Sequence, residues 1–229
     1  MFDMIELDKQ NINEKEFESE VKLIYSEIIK KPEVNEALEL LDELPTNLFY
    51  HDKDHTLDVI KETILFAVAD RAAPEVIELE AIAAAWHDVG HAIDSEKHES
   101  IGVDLFKKSK AYKKMTDEQR NEVIANILDT QIIIRNDKPH LQKQKSKYGY
   151  VLDADISNFG RGDFFVKGEM IAKESGLDLS DPETKKKFLK FTIDLLKNHE
   201  WQTNSAKNLR QIQKEINLRE SERKLLELS

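Results

Sequence analysis

The sequence predicts an all-α protein, a helical bundle with further helices appended at its N- and C-termini. The chain has 229 residues, of which 40% are apolar and 34% are charged, a composition that suits a helix-rich globular protein. It contains only seven Gly and five Pro, so few residues favour the tight turns of β-hairpins. In most segments the apolar residues recur at intervals of three and four, which is the spacing of one helix face.

Charge and cysteine content limit the functions that the chain can have. Its net charge is −11, which disfavours non-specific nucleic-acid binding because that binding depends on basic patches that neutralise phosphates. No apolar run approaches the ~20 residues that cross a bilayer, and the first residues lack the order of a secretory signal. Since Cys is absent, thiolate metal sites are excluded and a cytoplasmic location is expected. A homodimer remains open.

Helices are predicted, in chain order, over residues 14–31, 34–44, 50–72, 74–86, 96–108, 117–128, 182–198 and 203–228. Asn13, or alternatively Asn11, is expected to cap the first helix, and Ser95 the helix that starts at residue 96. Thr116 opens a capping box. Asp181 stands before a proline that is typical of the first helical turn.

Two further segments have their own signatures. Periodicity fades between residues 130 and 146, which predicts a long loop. The last helix is strongly charged but has an apolar line at Leu209, Ile212 and Ile216. Because no clear linker interrupts the chain, we expect one globular unit.

The chain divides into three parts by predicted role. Residues 1–45 form a helical hairpin packed on the main body. Residues 46–217 form the functional domain, and residues 218–229 end the C-terminal helix.

The doublet His87-Asp88 is the most informative feature. It follows an apolar helical segment over residues 76–86, and Gly90 then breaks the pattern. Burial of a carboxylate beside an imidazole is costly unless both are paired or bind a cation. Taken alone, the doublet is equally a surface pair or a helix-capping Asp.

Two other segments carry residues of the same type. His51 and His55 are four apart and share one face of a helix, with Asp58 close to that face; the alternative is a polar helix start, where acids are favoured. Asp153 and Asp155 stand among apolar residues. They are about 200° apart on a helix, so only one of them can face a given site.

His55, His87, Asp88 and Asp155 therefore come from three segments whose apolar faces turn inward, and helical bundles build metal sites in this way. Two imidazoles and two carboxylates suit Mn²⁺, Fe²⁺, Zn²⁺, Co²⁺ or Ni²⁺ better than the all-oxygen shell of Mg²⁺ or Ca²⁺. Asp88 can also bridge to a second, more hydrated ion such as Mg²⁺.

This pattern resembles that of the HD-domain metal-dependent phosphohydrolases over residues 46–217. The likeness is sharpest in three blocks, Tyr50-His51-x-x-x-His55-x-x-Asp58-Val59, His87-Asp88-Val-Gly-His91 and Ala154-Asp155-Ile-Ser157-Asn158. The blocks are also similar to those of cyclic-nucleotide phosphodiesterases. Small bacterial HD-domain proteins described only as predicted phosphohydrolases share features like His98-Glu99, Asp153-Ala-Asp155 and Thr203-x-x-Ala206.

The resemblance implies an HD-type helical bundle and a role for each matched residue. His55, His87, Asp88 and Asp155 would hold the first metal, with Asp88 bridging to a second, and Asp155 rather than Asp153 matches the ligand position. His51 would protonate the leaving oxygen. Residues expected in an outer shell or at a second metal are Asp58, His91, His98, Glu99 and Asp153; His91 and His98 are alternatively helix caps or pocket walls. Residues expected to contact substrate are Tyr50, Asn158, Arg161, His199 and Arg210.

The expected function is hydrolysis of a phosphoester of a small nucleotide or related metabolite by metal-activated water. The alternatives are a cyclic-nucleotide phosphodiesterase, a non-catalytic nucleotide-sensing module and a di-iron redox enzyme. The chain lacks the later segment with which the phosphodiesterases bind the base. Residues 127–131 contain no His, so a second metal is expected to rest on Asp88 and water.

Overall fold

The computed structural model describes the backbone of residues 2–135, 138–141 and 145–228, and side chains from residue 15 onward except at 134, 135, 138, 140 and 141. Over these residues the chain is mostly helical, which confirms the all-α prediction. The helices are α1 (Phe2–Ile28), α2 (Pro32–Leu41), α3 (Lys53–Ala69), α4 (Pro74–Trp86), α5 (His98–Lys108), α6 (Lys110–Lys114), α7 (Asp117–Asp129), α8 (Tyr150–Asp155), α9 (Phe164–Glu174), α10 (Pro182–Asn198) and α11 (Asn204–Leu226). Two 3-10 turns, Val89–Ala92 and Ser157–Gly160, follow α4 and α8.

The main core lies around α3 and α4, which pack along each other, with α8 on α3 and α7 on α4. The N-terminal helices add Val21, Ile28 and Val34 to the same apolar cluster. Trp86, at the end of α4, is buried and donates its indole N–H to the carbonyl of Glu33, at 3.0 Å. The N-terminal hairpin therefore shares the core that supports the end of α4.

A second, smaller core joins the C-terminal half. It consists of Ile156, Phe159, Phe164, Leu195 and Leu196, which come from the Ser157–Gly160 turn, the residue before it, and helices α9 and α10. Helix α11 packs very closely on that turn, because a Cβ atom added at Gly160 would lie 2.3 Å from the carbonyl oxygen of Arg210. Only glycine fits at this contact.

Several predicted helix ends are confirmed and others are wrong. Thr116 forms the capping box, and Asp181 caps α10. Helix α1, however, begins at Phe2, so Asn11 and Asn13 lie inside it; residues 2–13 contain no Gly or Pro that would stop a helix. Ser95 caps nothing, since α5 begins three residues later. Helix α9 was not predicted.

The apolar line on α11 is exposed: Leu209, Ile212 and Ile216 all face solvent. The buried face of α11 instead carries polar residues, because it satisfies carbonyl groups of irregular backbone. The side-chain amide of Asn217 donates to the carbonyls of Phe159 and Arg161, both at 2.9 Å. Hydrophobic periodicity alone could not reveal this face.

The segment between residues 130 and 146, predicted as a long loop, contains a short antiparallel hairpin. Strands β1 (Ile132–Arg135) and β2 (Lys138–Leu141) pair with Ile132 opposite Leu141. The β-branched run at residues 132–134 favours a strand. Residues 136, 137 and 142–144 of this loop lie outside the described residues. Within the described part of the chain, none of the helices is long and apolar enough to cross a membrane.

Candidate metal centre

Four side chains from three elements meet at one point inside the bundle. Helix α3 supplies His55, the end of α4 supplies His87 and Asp88, and α8 supplies Asp155. The Nε2 atom of His55 lies 3.1 Å from an Asp155 oxygen and 3.4 Å from Asp88 Oδ2. His55, His87 and Asp155 offer ligand atoms close enough together to hold a metal ion. The structure thus brings together the four residues that the sequence singled out.

The orientation of His87 is fixed by the backbone. Its Nδ1 donates a hydrogen bond to the carbonyl of Ala84, at 2.7 Å, so in the neutral ring the Nε2 atom carries a lone pair. That lone pair faces two oxygens, Asp88 Oδ2 at 3.0 Å and Asp155 Oδ1 at 3.5 Å. An imidazole hydrogen-bonded on its far nitrogen is the usual form of a metal-binding His.

The buried donor atoms fit a cation. His87 Nε2 and Asp88 Oδ2 are both inaccessible to solvent and have no hydrogen-bond partner among the described residues. A lone pair that faces carboxylate oxygens in a buried site requires a proton or a metal ion between them. Two imidazole nitrogens and two carboxylates are a donor set for a divalent transition metal.

In this cluster, burial and the neighbouring charges shift the pKa of each group in opposite directions. Burial by itself would lower the pKa of His87, but Asp88 and Asp155 outweigh it and hold that pKa well above its ordinary value. Burial by itself would raise the pKa values of the two carboxyls, but the neighbouring His side chains hold both below their ordinary values. The carboxylates are therefore ionised and available as ligands.

The other oxygen of Asp88 faces a second group of imidazoles. Asp88 Oδ1 lies 3.8 Å from His91 Nε2 and 3.9 Å from His98 Nε2, and the rings of His91 and His98 stack with centroids 3.9 Å apart. Ser95, predicted as a helix cap, instead orients both rings: its carbonyl accepts from His98 Nδ1 and its hydroxyl bonds to His91 Nδ1. Each ring therefore turns its Nε2 towards Asp88.

This second group makes Asp88 a candidate bridging ligand. His51, Asp88 and His91 together offer ligand atoms that could hold a metal, and burial lowers the pKa of His91 to about 3, which keeps its ring neutral. Glu99 is buried beside His98, with 3.5 Å between the His98 Nε2 atom and a Glu99 oxygen. His91 and His98, both expected at a second metal or in the pocket wall, lie beside Asp88, so a second ion would have imidazole ligands available in addition to Asp88 and water.

Glu174, at the end of α9, is a residue of the site that sequence reasoning missed. One of its oxygens accepts the hydrogen bond of His51 Nδ1, and the other accepts from the backbone amides of Phe49, Tyr50 and His51 at 2.8, 2.8 and 3.1 Å. Although burial lowers the pKa of His51, the hydrogen bond to Glu174 and the charge of Asp88 raise it overall. Burial raises the pKa of Glu174, but His51 brings it down to about 2.

Tyr50 packs against the ligands without being one. It is buried, and its ring lies 4.5 Å from that of His55. Burial, together with the charges of Asp155 and Asp88, holds the pKa of Tyr50 well above its ordinary value. Its hydroxyl is therefore neutral.

Asp153 points away from the cluster and has a structural role. It accepts hydrogen bonds from the amide of Gln202 at 2.9 Å, and from the amide and hydroxyl of Thr203 at 2.8 and 2.7 Å. Burial raises the pKa of Asp153 to about 6 in spite of these bonds. Asp153 thus secures the start of α11, and Asp155 is the acid of this segment that faces His55 and His87.

The two arginines that were expected to contact substrate, Arg161 and Arg210, are each paired with carboxylates of the protein. Arg161 pairs with Asp58 at 2.5 Å and with Asp163 at 2.6 Å, which takes Asp58 out of the metal cluster as well. Arg210 forms a two-pronged ion pair with Glu62, with its NH2 group 2.8 and 2.7 Å from the two oxygens. Neither guanidinium is free to bind a phosphate without giving up its acid.

His199 lies away from the cluster, buried against Phe159 and Trp201, with ring centroids at 5.4 and 4.3 Å. Burial lowers its pKa to about 3. The predicted pairing of His199 with Trp201 exists, but as a contact of the smaller core.

A cavity of about 240 Å³ opens beside the metal cluster, with Tyr50, His51 and Asp155 at one end and Asn158 in its wall. No protein-family model matches the chain, and no curated protein or solved structure is significantly similar to it.

Proposed function

We propose that the protein is a metal-dependent phosphohydrolase of the HD-domain superfamily that cleaves a phosphoester of a small nucleotide or related metabolite. One observation carries the proposal: His55, His87, Asp88 and Asp155 converge with unshared donor atoms facing one another. These are the residues of the three sequence blocks that resemble the superfamily.

The four residues would hold the first divalent ion, and Asp88, His91 and His98 a second one. A divalent ion in such a site supplies an activated water and neutralises charge on phosphoryl oxygens. The remaining work belongs to the protein, which must orient the ester and give a proton to its leaving oxygen.

His51 supports the proton-donating step. It lies in the wall of the cavity, and its Nδ1 is bonded to Glu174, so the other ring nitrogen remains for the leaving oxygen. Glu174 acts as a positioning residue, because it fixes both the ring and the backbone amides that precede α3. A histidine held by a carboxylate is suited to general acid catalysis.

The proposal is tested by loading the protein with Mn²⁺ and following the hydrolysis of nucleoside mono-, di- and cyclic phosphates by chromatography. We expect turnover of at least one ester by the wild type and none by His87→Ala. Glu80→Gln, which changes a buried acid on α4, the helix that precedes His87, is the control and should be active. Activity that survives in His87→Ala would contradict the proposal. Binding of a nucleotide without turnover would favour the sensing module instead, and two irons with oxygen uptake would favour the redox enzyme.

The role of His51 has its own test. His51→Gln should lower kcat by about 10²–10⁴-fold, the usual contribution of general acid–base catalysis, while the metal content of the purified protein stays unchanged. Because His51 also lies within reach of Asp88 and His91, a parallel loss of metal would assign it as a ligand and refute the proton-donating role.

A further inference from the structure

The cavity beside the metal cluster has an unusual lining for a site that binds phosphate esters. Beyond Tyr50, His51 and Asp155, most of its wall is formed by Phe, Ile and Leu side chains. Five phenylalanines line it, namely Phe159, Phe164, Phe165, Phe188 and Phe191. They come from the Ser157–Gly160 turn, α9 and α10, so the apolar wall is built by regular elements on one side of the metal cluster.

The apolar lining continues to the mouth of the cavity. Ile132 and Phe191 are 44% and 43% exposed, respectively, although both are large hydrophobic residues. Exposed apolar side chains that surround a cavity are typical of a binding site for an apolar group. The wall thus presents apolar surface from the metal cluster to solvent.

Polar groups line the cavity both beside the metal cluster and farther from it. Asn158 follows Asp155 by three residues, is 6% exposed, and lines the cavity. A side-chain amide in the wall beside Asp155 can donate a hydrogen bond to an oxygen of the phosphoester. At the outer end the polar lining includes Glu169, Thr192, Lys185 and Lys224.

Few positive charges are available for additional phosphates. Arg161 and Arg210 are each paired with acids, and Lys224 contacts Glu220 and the ring of Phe165. Lys185 is the cation of the lining that has no ion-pair partner in the part of the chain that the structure describes. The side chains of the cavity therefore add little neutralisation for the further phosphates of a nucleoside di- or triphosphate beyond what the metal ions would supply.

We infer that the substrate carries a single phosphoryl group esterified to an apolar organic group, an alkyl or aryl phosphoester, and that this group occupies the phenylalanine-lined cavity. The inference rests on the proposed phosphohydrolase chemistry and, within it, favours an apolar phosphoester over a nucleotide as substrate. A purine or pyrimidine would bury several polar edge atoms against phenylalanine rings, which is unfavourable without hydrogen-bond partners. The cavity, of about 240 Å³, has room for an alkyl chain of several carbons or for an aromatic ring.

Gly168 allows the cavity to be filled without removing a core side chain. It lies within α9, and a Cβ atom added there would be 3.9 Å from the ring of Phe188, an ordinary contact. The remaining atoms of a leucine at this position would enter the cavity, and replacement of a mid-helix glycine favours the helix. Val166 on the same helix is 61% exposed and does not line the cavity, so Val166→Leu is a matched control.

The experiment measures the affinities of ethyl, butyl, hexyl and octyl phosphate, with AMP for comparison, by calorimetry on the Mn²⁺-loaded protein. A ligand that is turned over is replaced by its phosphonate analogue, whose C–P bond is not hydrolysed. We expect the Kd to fall about three- to fourfold for each added methylene, the value for full burial, until the cavity is filled. In Gly168→Leu the gain should stop at least two carbons earlier, with ethyl phosphate binding as in the wild type. Val166→Leu should match the wild type throughout.

Two outcomes would overturn the inference: a Kd that does not depend on chain length, or AMP binding more tightly than octyl phosphate. Its failure is distinguishable from failure of the proposed function. Chain-length-dependent binding with no hydrolysis by the Mn²⁺-loaded protein supports the apolar site and removes the hydrolase. Hydrolysis of AMP with a flat chain-length series supports the hydrolase and removes the apolar substrate.

Discussion

Glu80 lies in the middle of α4 and Asp88 lies two residues after its end, and both carboxylates are almost completely buried, with exposures of 0% and 3%. Their pKa values nevertheless move in opposite directions. Burial, with the nearby charge of Glu122, raises the pKa of Glu80 to about 8. Burial would also raise the pKa of Asp88, but His87 and the surrounding imidazoles hold it well below its ordinary value.

The difference lies in the neighbours. Glu80 receives a hydrogen bond from the Asn126 amide at 2.7 Å and avoids the cost of a buried charge by remaining protonated. Asp88 has imidazole nitrogens around both of its oxygens and remains ionised. Burial alone therefore does not identify a metal ligand. What marks Asp88 as a candidate ligand is the convergence of nitrogen lone pairs on an ionised carboxylate.

The largest expected effect separates these two acids by metal affinity. Asp88→Asn removes a charged ligand from both halves of the centre, so we expect the affinity for Mn²⁺ to fall by more than ~100-fold, above the range for loss of an outer-shell partner. Glu80→Gln should leave the affinity unchanged. Equilibrium dialysis with elemental analysis measures both, and equal losses in the two variants would refute the comparison.

The second prediction concerns the close contact between Gly90 and the start of α5, which places His98 beside Asp88. A Cβ atom at Gly90 would lie 1.9 Å from the carbonyl oxygen of His98, and backbone cannot yield as a flexible side chain can. We expect Gly90→Ala to lower the free energy of unfolding by about 3 kcal/mol, measured by urea denaturation.

Gly102→Ala on α5 is the matched control for this variant. The nearest atoms to a Cβ at Gly102 are 3.5 Å away, and an interior helix position gains up to about 1 kcal/mol from alanine. If both substitutions had the same effect, the contact at Gly90 would not be what positions His98.

The third prediction tests the protonated state of Glu80. In the unfolded chain this acid ionises above its ordinary pKa of 4.5, while in the folded protein it keeps its proton up to a pH of about 8. Between these values the folded state binds more protons, so Glu80 lowers stability as the pH rises.

Glu80→Gln removes that dependence. Relative to the wild type it should be more stable by about 4 kcal/mol at pH 8 and by about 1 kcal/mol at pH 5, as measured by denaturation at both values. A difference that stays constant or shrinks towards pH 8 would show that Glu80 is ionised in the folded protein.

The sequence was sufficient to predict the helical class and the convergence of His55, His87, Asp88 and Asp155, because motif spacing and helix periodicity are local properties. Helical spacing alone left the choice between Asp153 and Asp155 open, and only the family resemblance favoured Asp155, because the choice depends on which acid another segment contacts. In the structure that segment is the start of α11, which bonds Asp153.

Other features depend on contacts that no local pattern contains. Glu174 bonds His51 from 123 residues away, at the end of a helix that was not predicted. The buried polar face of α11 exists because irregular backbone at residues 159–161 needs donors. A surplus of charged residues on a helix cannot show which of them another segment will bond.

Whether His55, His87, Asp88 and Asp155 bind a metal ion is decided by the metal content of the purified protein, determined by elemental analysis on the wild type and on Asp155→Ala. We expect about one or two transition-metal ions per wild-type chain and a clear loss in the variant, since Asp155 faces both His55 and His87. A wild type that is empty after purification and also fails to take up added Mn²⁺ would show that these residues do not form a metal site. The His87-Asp88 pair would then be a structural element of the helical bundle.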